Sequence, residues 1–138
     1  MPSAKGGRHV GRVLDVALLG KLTDNLIAET RVLTEMVEEL GSSELDLPTS
    51  APGWSVRDHL SHLAYFDDVA TMALLDPEGF ATLRAASVED VDGLTERVAR
   101  EHHGLDGPEL LAWLDAARTK MVAAYSAADP TTRVPWFG

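Results

Sequence analysis

The sequence contains no cysteine among its 138 residues. This absence excludes a disulfide framework, a thiolate metal site and a cysteine nucleophile. No apolar run approaches the roughly 18–20 residues that a transmembrane helix needs. The basic start of the chain also lacks the apolar core of a secretory signal. The sequence therefore predicts a cytoplasmic protein with no membrane partner.

Basic residues are also scarce, since 12 Lys and Arg stand against 22 Asp and Glu, for a net charge of −10. Three of the basic residues, Lys5, Arg8 and Arg12, lie near the N-terminus without any accompanying acid. The rest of the chain is therefore strongly acidic, which disfavours nucleic acid and anionic lipid as partners. We interpret residues 1–13 as a basic flexible tail and residues 14–138 as one domain, because 45% hydrophobic residues are enough for a packed core.

Hydrophobic periodicity predicts an all-α fold with three long helices. Apolar residues recur at three- and four-residue steps over about residues 14–40, 56–75 and 108–128. Two shorter helices are predicted near residues 77–86 and 94–102, and no alternating strand pattern competes with them. The connections between the long helices contain the glycines and prolines that commonly end helices.

The beginning of the second predicted helix carries most of the chemistry. Ser55 is followed three residues later by Asp58, which resembles a capping box with Asp in place of Glu. His59 and His62 follow on neighbouring rows of the same helix. Imidazoles held at fixed spacing on a rigid element are what a metal site or an acid–base site requires.

Three ionisable residues of this helix, His59, His62 and Asp67, fall on its apolar face when its residues are placed at about 100° each. The residues predicted on the opposite, polar face are Arg57, Ser61, Tyr65 and Asp68. Buried polar groups are costly unless they have partners. Two interpretations stay open: the three groups bond to carbonyls, an arginine or a helix end, or they form a metal or acid–base site.

Three ordered segments of the chain resemble a known family. Residues 54–63 read Trp-Ser-Val-Arg-Asp-His-Leu-Ser-His-Leu, residues 108–113 read Pro-Glu-Leu-Leu-Ala-Trp, and residues 133–138 read Arg-Val-Pro-Trp-Phe-Gly. Together they resemble the DinB-like superfamily, and more narrowly the N-terminal metal-binding domain of mycothiol-dependent maleylpyruvate isomerases and their actinobacterial relatives. The resemblance covers about residues 19–138.

The resemblance implies an antiparallel four-helix bundle that binds a divalent metal, zinc, and uses the small-molecule thiol mycothiol. By position in the motif, His62 carries over as a metal ligand. His59 lies at a variable position, so it is a second candidate ligand or a packed histidine. Asp67 falls where relatives often carry an acid; it is a candidate cofactor contact or one half of a buried helix–helix pair.

The sequence departs from the family pattern at its end. In the family a fourth helix with a Glu-x-x-x-His pair follows the Trp-Phe-Gly loop, but this sequence stops at Gly138. We therefore expect a truncated bundle whose fourth helix is missing or supplied by a partner. His102 and His103 are expected in a solvated loop and His9 in the tail. The uncovered apolar groove, extended by Trp136 and Phe137, predicts a homo-oligomer.

Two functional hypotheses follow. In the first, the chain is a metal-binding domain that activates a thiol for an isomerase or transferase reaction, with His62 as a ligand and Asp67 near the cofactor or substrate. In the second, it is a non-catalytic helical domain, or an inactive fragment, that binds a ligand or partner through the open groove. The residues alone leave open whether the chain is an enzyme.

Overall fold

The computed structural model describes the backbone of residues 5–137 and the side chains from Asp15 to Phe137. Its five helices are α1 Lys5–Glu38, α2 Val56–Leu75, α3 Pro77–Ser87, α4 Val91–Glu101 and α5 Gly107–Ala127. A short 3₁₀ helix, Glu44–Asp46, lies between α1 and α2. No strand occurs among the described residues, so the predicted all-α class is confirmed. None of the described helices is both long and apolar enough to span a membrane.

The helix boundaries agree with those predicted except at the start of the chain. The first helix was expected from about Leu14, whereas α1 begins at Lys5. The predicted flexible tail therefore overlaps helical backbone from Lys5 onward, and residues 1–4 lie outside the described part of the chain. The side chain of His9 and the whole of Gly138 also lie outside it.

Each helix after α1 begins at a side chain that caps its free amides. The capping box predicted at α2 is confirmed: the Ser55 hydroxyl accepts from the amide of Asp58 at 3.2 Å, and the Asp58 carboxylate accepts from the amide of Ser55 at 3.0 Å. Asp106 and Glu109 form a second capping box at α5. These boxes provide hydrogen-bond acceptors for amides that have no partner within the helix. Their carboxylates also interact favourably with the positive end of the helix dipole.

Helices α2 and α5 run in the same direction, side by side. The guanidinium of Arg57, near the start of α2, donates to the carbonyl of Leu105 just before α5. Near the other ends, the hydroxyl of Tyr125 donates to the carbonyl of Ala70 at 2.9 Å. Contacts between the two helices therefore follow the same order, from the N-terminal end to the C-terminal end of each helix. The parallel arrangement is possible because α3 and α4 form the crossover that returns the chain to the same end of the bundle.

Helix α1 runs antiparallel to this pair, as the bundle prediction required. Its C-terminal residue Val37 shares a core cluster with Leu110 at the beginning of α5. Its earlier residue Leu19 lines a small cleft with Tyr125 at the end of α5. The three long helices thus form an all-α bundle. The antiparallel arrangement predicted for them holds for α1 and is wrong for the α2–α5 pair, which is parallel because the crossover through α3 and α4 returns the chain to the same end.

Two hydrophobic clusters hold the bundle together. The first joins the end of α1, the 3₁₀ helix, α2 and α5, and its buried members are Val37, Leu45, Leu60, Ala64, Leu110 and Leu114. The second lies between α2 and α3 and is built on Val69, Ala73 and Phe80. Because both clusters contain residues of α2, this helix is the centre of the fold.

The polar face predicted for α2 is wrong at two positions. Arg57 and Ser61 were expected to face solvent, but both are buried. Arg57 donates from Nε to a carboxylate oxygen of Asp46 at 2.9 Å, and the hydroxyl of Ser61 donates to the carbonyl of Asp58 at 3.1 Å. A central helix is covered on several sides, so a single apolar arc underestimates how much of it is buried.

We expect Leu110→Ala to lower the free energy of unfolding by about 2–5 kcal/mol, because truncating a fully buried leucine leaves a cavity in the first cluster. The matched control is Leu75→Ala at the exposed end of α2, which should change stability by less than about 0.5 kcal/mol. Chemical denaturation followed by circular dichroism measures both. Equal effects of the two substitutions would contradict the packing described here.

Candidate functional site

A turn ahead of α2 positions the first residues of the candidate site. Gly53 has a φ of +80°, a left-handed conformation that glycine adopts without strain. The amide of Trp54 donates to the carbonyl of Ala51 at 3.1 Å, and the amide of Thr49 donates to the carbonyl of Trp54 at 2.9 Å. The loop therefore folds back on itself and places the Trp54 ring against the first turns of α2.

His59 lies in the first turn of α2, and one of its two ring nitrogens is hydrogen-bonded to the loop before the helix. Its Nε2 is hydrogen-bonded to the hydroxyl of Thr49 at 2.9 Å. Its ring centroid lies 5.2 Å from that of Trp54. This is the geometry of the packed-histidine alternative, in which His59 supports the loop that carries Trp54.

His62 lies one turn further along α2, between aromatic walls. Its ring centroid is 5.4 Å from that of Trp54, edge to face, and 4.7 Å from that of Phe66. The Nδ1 atom is buried and has no hydrogen-bond partner among the described residues. Burial lowers the pKa of His62 below 6.5, and the positive charge of protonated His59 lowers that pKa further. His62 is thus a half-buried imidazole that favours its neutral form and whose buried nitrogen, Nδ1, is unpaired.

The C-terminal segment closes this side of α2 with two more aromatic rings. Phe137 lies 6.1 Å from Phe66 and 5.2 Å from Phe80 between ring centroids. Trp136 stacks on Phe80 at 5.8 Å, with an angle of 11° between the ring planes. We call Trp54, His62, Phe66, Phe80, Trp136 and Phe137 the aromatic cluster. The expectation that Trp136 and Phe137 both extend an exposed groove is wrong for Phe137, which is half-buried in this cluster.

Asp67 lies on the neighbouring side of α2 and is paired with a cation. Its two carboxylate oxygens accept from Nε and Nη2 of Arg118 on α5, at 2.7 and 3.1 Å. Nη1 of Arg118 also donates to the hydroxyl of Thr30 on α1, at 3.3 Å. Both side chains of the ion pair are about nine-tenths buried. Asp67 therefore has the geometry of the helix–helix pair that the sequence left open as an alternative.

Arg118 is a residue that the sequence prediction missed. A signal for it existed, because it lies four residues after Leu114 and seven before Tyr125, within the apolar stripe of α5. A lone cation within an apolar stripe needs an anionic partner, and Asp67 was the buried acid still without one.

The other two described histidines, His102 and His103, lie at the end of α4. His102 is half-buried at the end of α4, where its Nδ1 donates to the carbonyl of Val98 at 2.8 Å. Its ring packs on Trp113 with centroids 4.4 Å apart. His103 is exposed. The solvated-loop interpretation therefore holds for His103, whereas His102 is part of the packing between α4 and α5.

Among the predicted site residues, the His62 side chain is the one that could bind a metal ion. Among the described residues, no group of three or more His, Asp or Glu side chains is arranged to bind a metal ion. Two of the predicted candidates have partners of their own, since His59 is hydrogen-bonded to Thr49 and Asp67 is paired with Arg118. Among the three, only His62 has a buried nitrogen without a partner. The described part of the chain therefore fits a single ligand position of a metal site.

Comparison with known proteins identifies the family. The profile of the mycothiol maleylpyruvate isomerase N-terminal domain family matches residues 26–138. The chain belongs to this family. It is also 30% identical over 119 residues to uncharacterized proteins from two strains of Mycobacterium tuberculosis, CDC 1551 and H37Rv. These alignments cover 86% of this chain and 46% of each relative, so the chain spans about half the length of the curated relatives that it matches. No solved structure matches the chain.

We expect Asp67→Ala to lower the free energy of unfolding by about 3–5 kcal/mol, because it leaves the Arg118 guanidinium buried without its anion. The double variant Asp67→Leu with Arg118→Met should recover most of this loss, since it removes both charges. Denaturant unfolding of the single and double variants measures the difference. If Asp67→Ala is neutral, the pair does not hold the helices, and the carboxylate is available for a cofactor.

We expect His62 to titrate below pH 6.5, because burial opposes its charged form. The unfolded chain then takes up this proton at a higher pH than the folded chain. Stability is therefore lost as pH falls below about 6.5 and regained as pH rises. His62→Gln should flatten that part of the stability curve, whereas His103→Gln at an exposed position should leave it in place. Proton NMR titration of the imidazoles gives the midpoint directly, and a His62 midpoint above 6.5 would rule out this account.

Proposed function

We propose that this member of the mycothiol maleylpyruvate isomerase N-terminal domain family is a metal-binding domain in which His62 is a ligand of a divalent cation, zinc. The other ligands are supplied by groups outside the described residues, either further polypeptide or a partner chain. The second component of the proposed site is a small-molecule thiol of the mycothiol type, which we infer from the name of the family.

The observation that carries this proposal is the unpaired Nδ1 of His62. A buried polar atom without a hydrogen bond costs about 1–3 kcal/mol and marks a place where an ion, a water molecule or another side chain completes the contacts. A metal ligand must also be neutral, and burial of His62 favours that form. Both properties fit a ligating histidine.

The surroundings of His62 suit a site from which water is excluded. Trp54 and Phe66 flank the imidazole, and the rings of Phe137 and Trp136 extend the apolar wall beyond Phe66. In such surroundings the interactions between charges are stronger than in water. A divalent cation bound there would lower the pKa of a thiol and stabilise the thiolate near neutral pH. These 138 residues contain no cysteine, so in this proposal the thiol is that of a small molecule.

The other candidates support His62 without binding the metal. His59 is held by Thr49 and packs on Trp54, so it keeps one wall of the site in place. Asp67 is paired with Arg118 and fixes α2 against α5, five residues beyond His62. We propose that both are positioning residues, and that the cofactor contact expected of Asp67 falls to other groups.

A second function, a non-catalytic binding domain, is favoured by one observation. A cleft of about 580 Å³ opens between α1 and α5, and its apolar lining includes Ile27, Val122 and Ala123. This cleft lies on the Arg118 side of the bundle, away from the aromatic cluster. If no metal binds at His62, the open cleft becomes the better basis for a function.

Zinc and cobalt titrations of the purified chain test the metal proposal. We expect weak zinc binding, because one histidine cannot provide the roughly 10–16 kcal/mol of a complete structural site. His62→Ala should abolish this binding. His59→Ala and the exposed control His103→Ala should bind as the wild-type chain does. Equal zinc affinity in wild type and His62→Ala would overturn the proposal and leave the binding-domain alternative.

The cobalt experiment addresses the thiol. The chain lacks sulfur ligands of the cysteine type, so a cobalt–thiolate charge-transfer band in the near ultraviolet can arise only from a thiol added in solution. We expect a cysteinyl thiol to produce this band with the cobalt-loaded chain and not with the His62→Ala variant. A band of equal strength in both samples would mean that cobalt and thiol meet in free solution.

A further inference from the structure

The hydroxyl of Thr49 contacts three polar groups in the loop before α2. Its Oγ1 lies 3.0 Å from the carbonyl oxygen of Trp54, 2.9 Å from Nε2 of His59 and 3.2 Å from the amide nitrogen of Ala51. A hydroxyl has one proton to donate and two lone pairs with which to accept. The three contacts can therefore use its whole hydrogen-bonding capacity.

Only one placement of protons makes all three contacts hydrogen bonds. The carbonyl of Trp54 can only accept and the amide of Ala51 can only donate, so the hydroxyl proton of Thr49 goes to the carbonyl. Nε2 of His59 must then be a donor to the same hydroxyl. Neutral His59 is therefore the tautomer with its proton on Nε2, and its lone pair lies on Nδ1.

The lone pair on Nδ1 of His59 is open. No described residue is hydrogen-bonded to this atom. Among the described residues, the buried side-chain nitrogen without a partner is Nδ1 of His62, so Nδ1 of His59 is reached by solvent. An imidazole held in one tautomer by a third group, with its other nitrogen open, has the arrangement of a general base.

His59 and His62 lie close together on α2. Residues three apart on a helix have β-carbons about 5–6 Å apart. The indole ring of Trp54 lies against both imidazoles, with centroids at 5.2 and 5.4 Å. Burial and, after it, the charge of protonated His59 lower the pKa of His62, so the two side chains are coupled electrostatically. A small ligand beside His62 is therefore within reach of His59.

We propose that His59, beyond holding Trp54 in place, is the general base that accepts the proton of the thiol. The S–H bond breaks, the proton forms a bond to Nδ1 of His59, and the electron pair stays on sulfur as a thiolate beside His62. This inference rests on the proposed function, which supplies the thiol. The tautomer of His59 does not rest on it, because Thr49 sets that tautomer within the chain itself.

The surroundings of His59 also suit its protonated form. Nε2 keeps its acceptor at Thr49 when Nδ1 takes a proton, so no hydrogen bond is lost. The ring lies against the indole of Trp54 with an angle of 35° between the planes, and an indole face attracts a cation. The buried carboxylate of the same helix, Asp67, is a poorer base, because its protonation would leave the charge of Arg118 buried alone.

Nitrogen-15 NMR of the imidazoles in the metal-free chain tests the tautomer. We expect neutral His59 to carry its proton on Nε2. His102 is an internal control with the opposite assignment, because its Nδ1 donates to the carbonyl of Val98 at 2.8 Å. Thr49→Val should release His59 into a mixture of tautomers, whereas Thr49→Ser should keep the wild-type state. A wild-type His59 with its proton on Nδ1 would overturn the proposal.

Stopped-flow mixing of the cobalt-loaded chain with a cysteinyl thiol tests the proton transfer. At about pH 7, His59→Gln should slow formation of the cobalt–thiolate band about 100-fold, because the thiol is mostly protonated at that pH. With an aromatic thiol acidic enough to be ionised already, His59→Gln and wild type should react at the same rate. His103→Gln, at an exposed position, is the matched control and should behave as wild type with both thiols.

The outcomes separate this proposal from the metal proposal. Equal rates for wild type and His59→Gln with the cysteinyl thiol would overturn the general base and leave the metal at His62 in place. Equal slowing with both thiols would also overturn it, since that result assigns His59 a purely structural role. Absence of the band in the wild-type chain would overturn both proposals, because His59 would then have no bound thiol to deprotonate.

Discussion

The ion pair between Asp67 and Arg118 is the constraint on which the arrangement of the long helices depends. It joins α2 to α5, and the bond from Arg118 to Thr30 brings α1 to the same level. A buried ion pair adds little to stability over a well-packed apolar alternative, but its loss on one side is costly. Its main consequence here is to fix the lengthwise position, or register, of α2 against α5. A slip of one helix along the other would leave a charge buried without its partner. His62 lies on the same helix, so its position against Trp54 depends on this registration.

The central position of α2 explains why one helix carries both the packing and the candidate chemistry. Its residues reach the first cluster, the second cluster and the aromatic cluster. Apolar neighbours on so many sides leave few places for a polar group without a partner. Asp67, Arg57 and Ser61 all have partners, and His62 alone among them keeps a buried nitrogen unpaired. The lack of a partner is therefore specific to the buried nitrogen of His62 and is not shared by the other buried polar groups of this helix.

The sequence predicted the local features of the fold better than its tertiary ones. The capping box at Ser55 and the five helices follow from residues close together in the chain, so local pattern was enough. The parallel direction of α2 and α5 was not predictable from periodicity, because it depends on the path of the crossover. The burial of Arg57 was missed for a related reason: its partners, Asp46 and the Leu105 carbonyl, belong to two other segments. In the candidate site, the motif located His62, whereas the pairing of Asp67 required knowing where α5 packs.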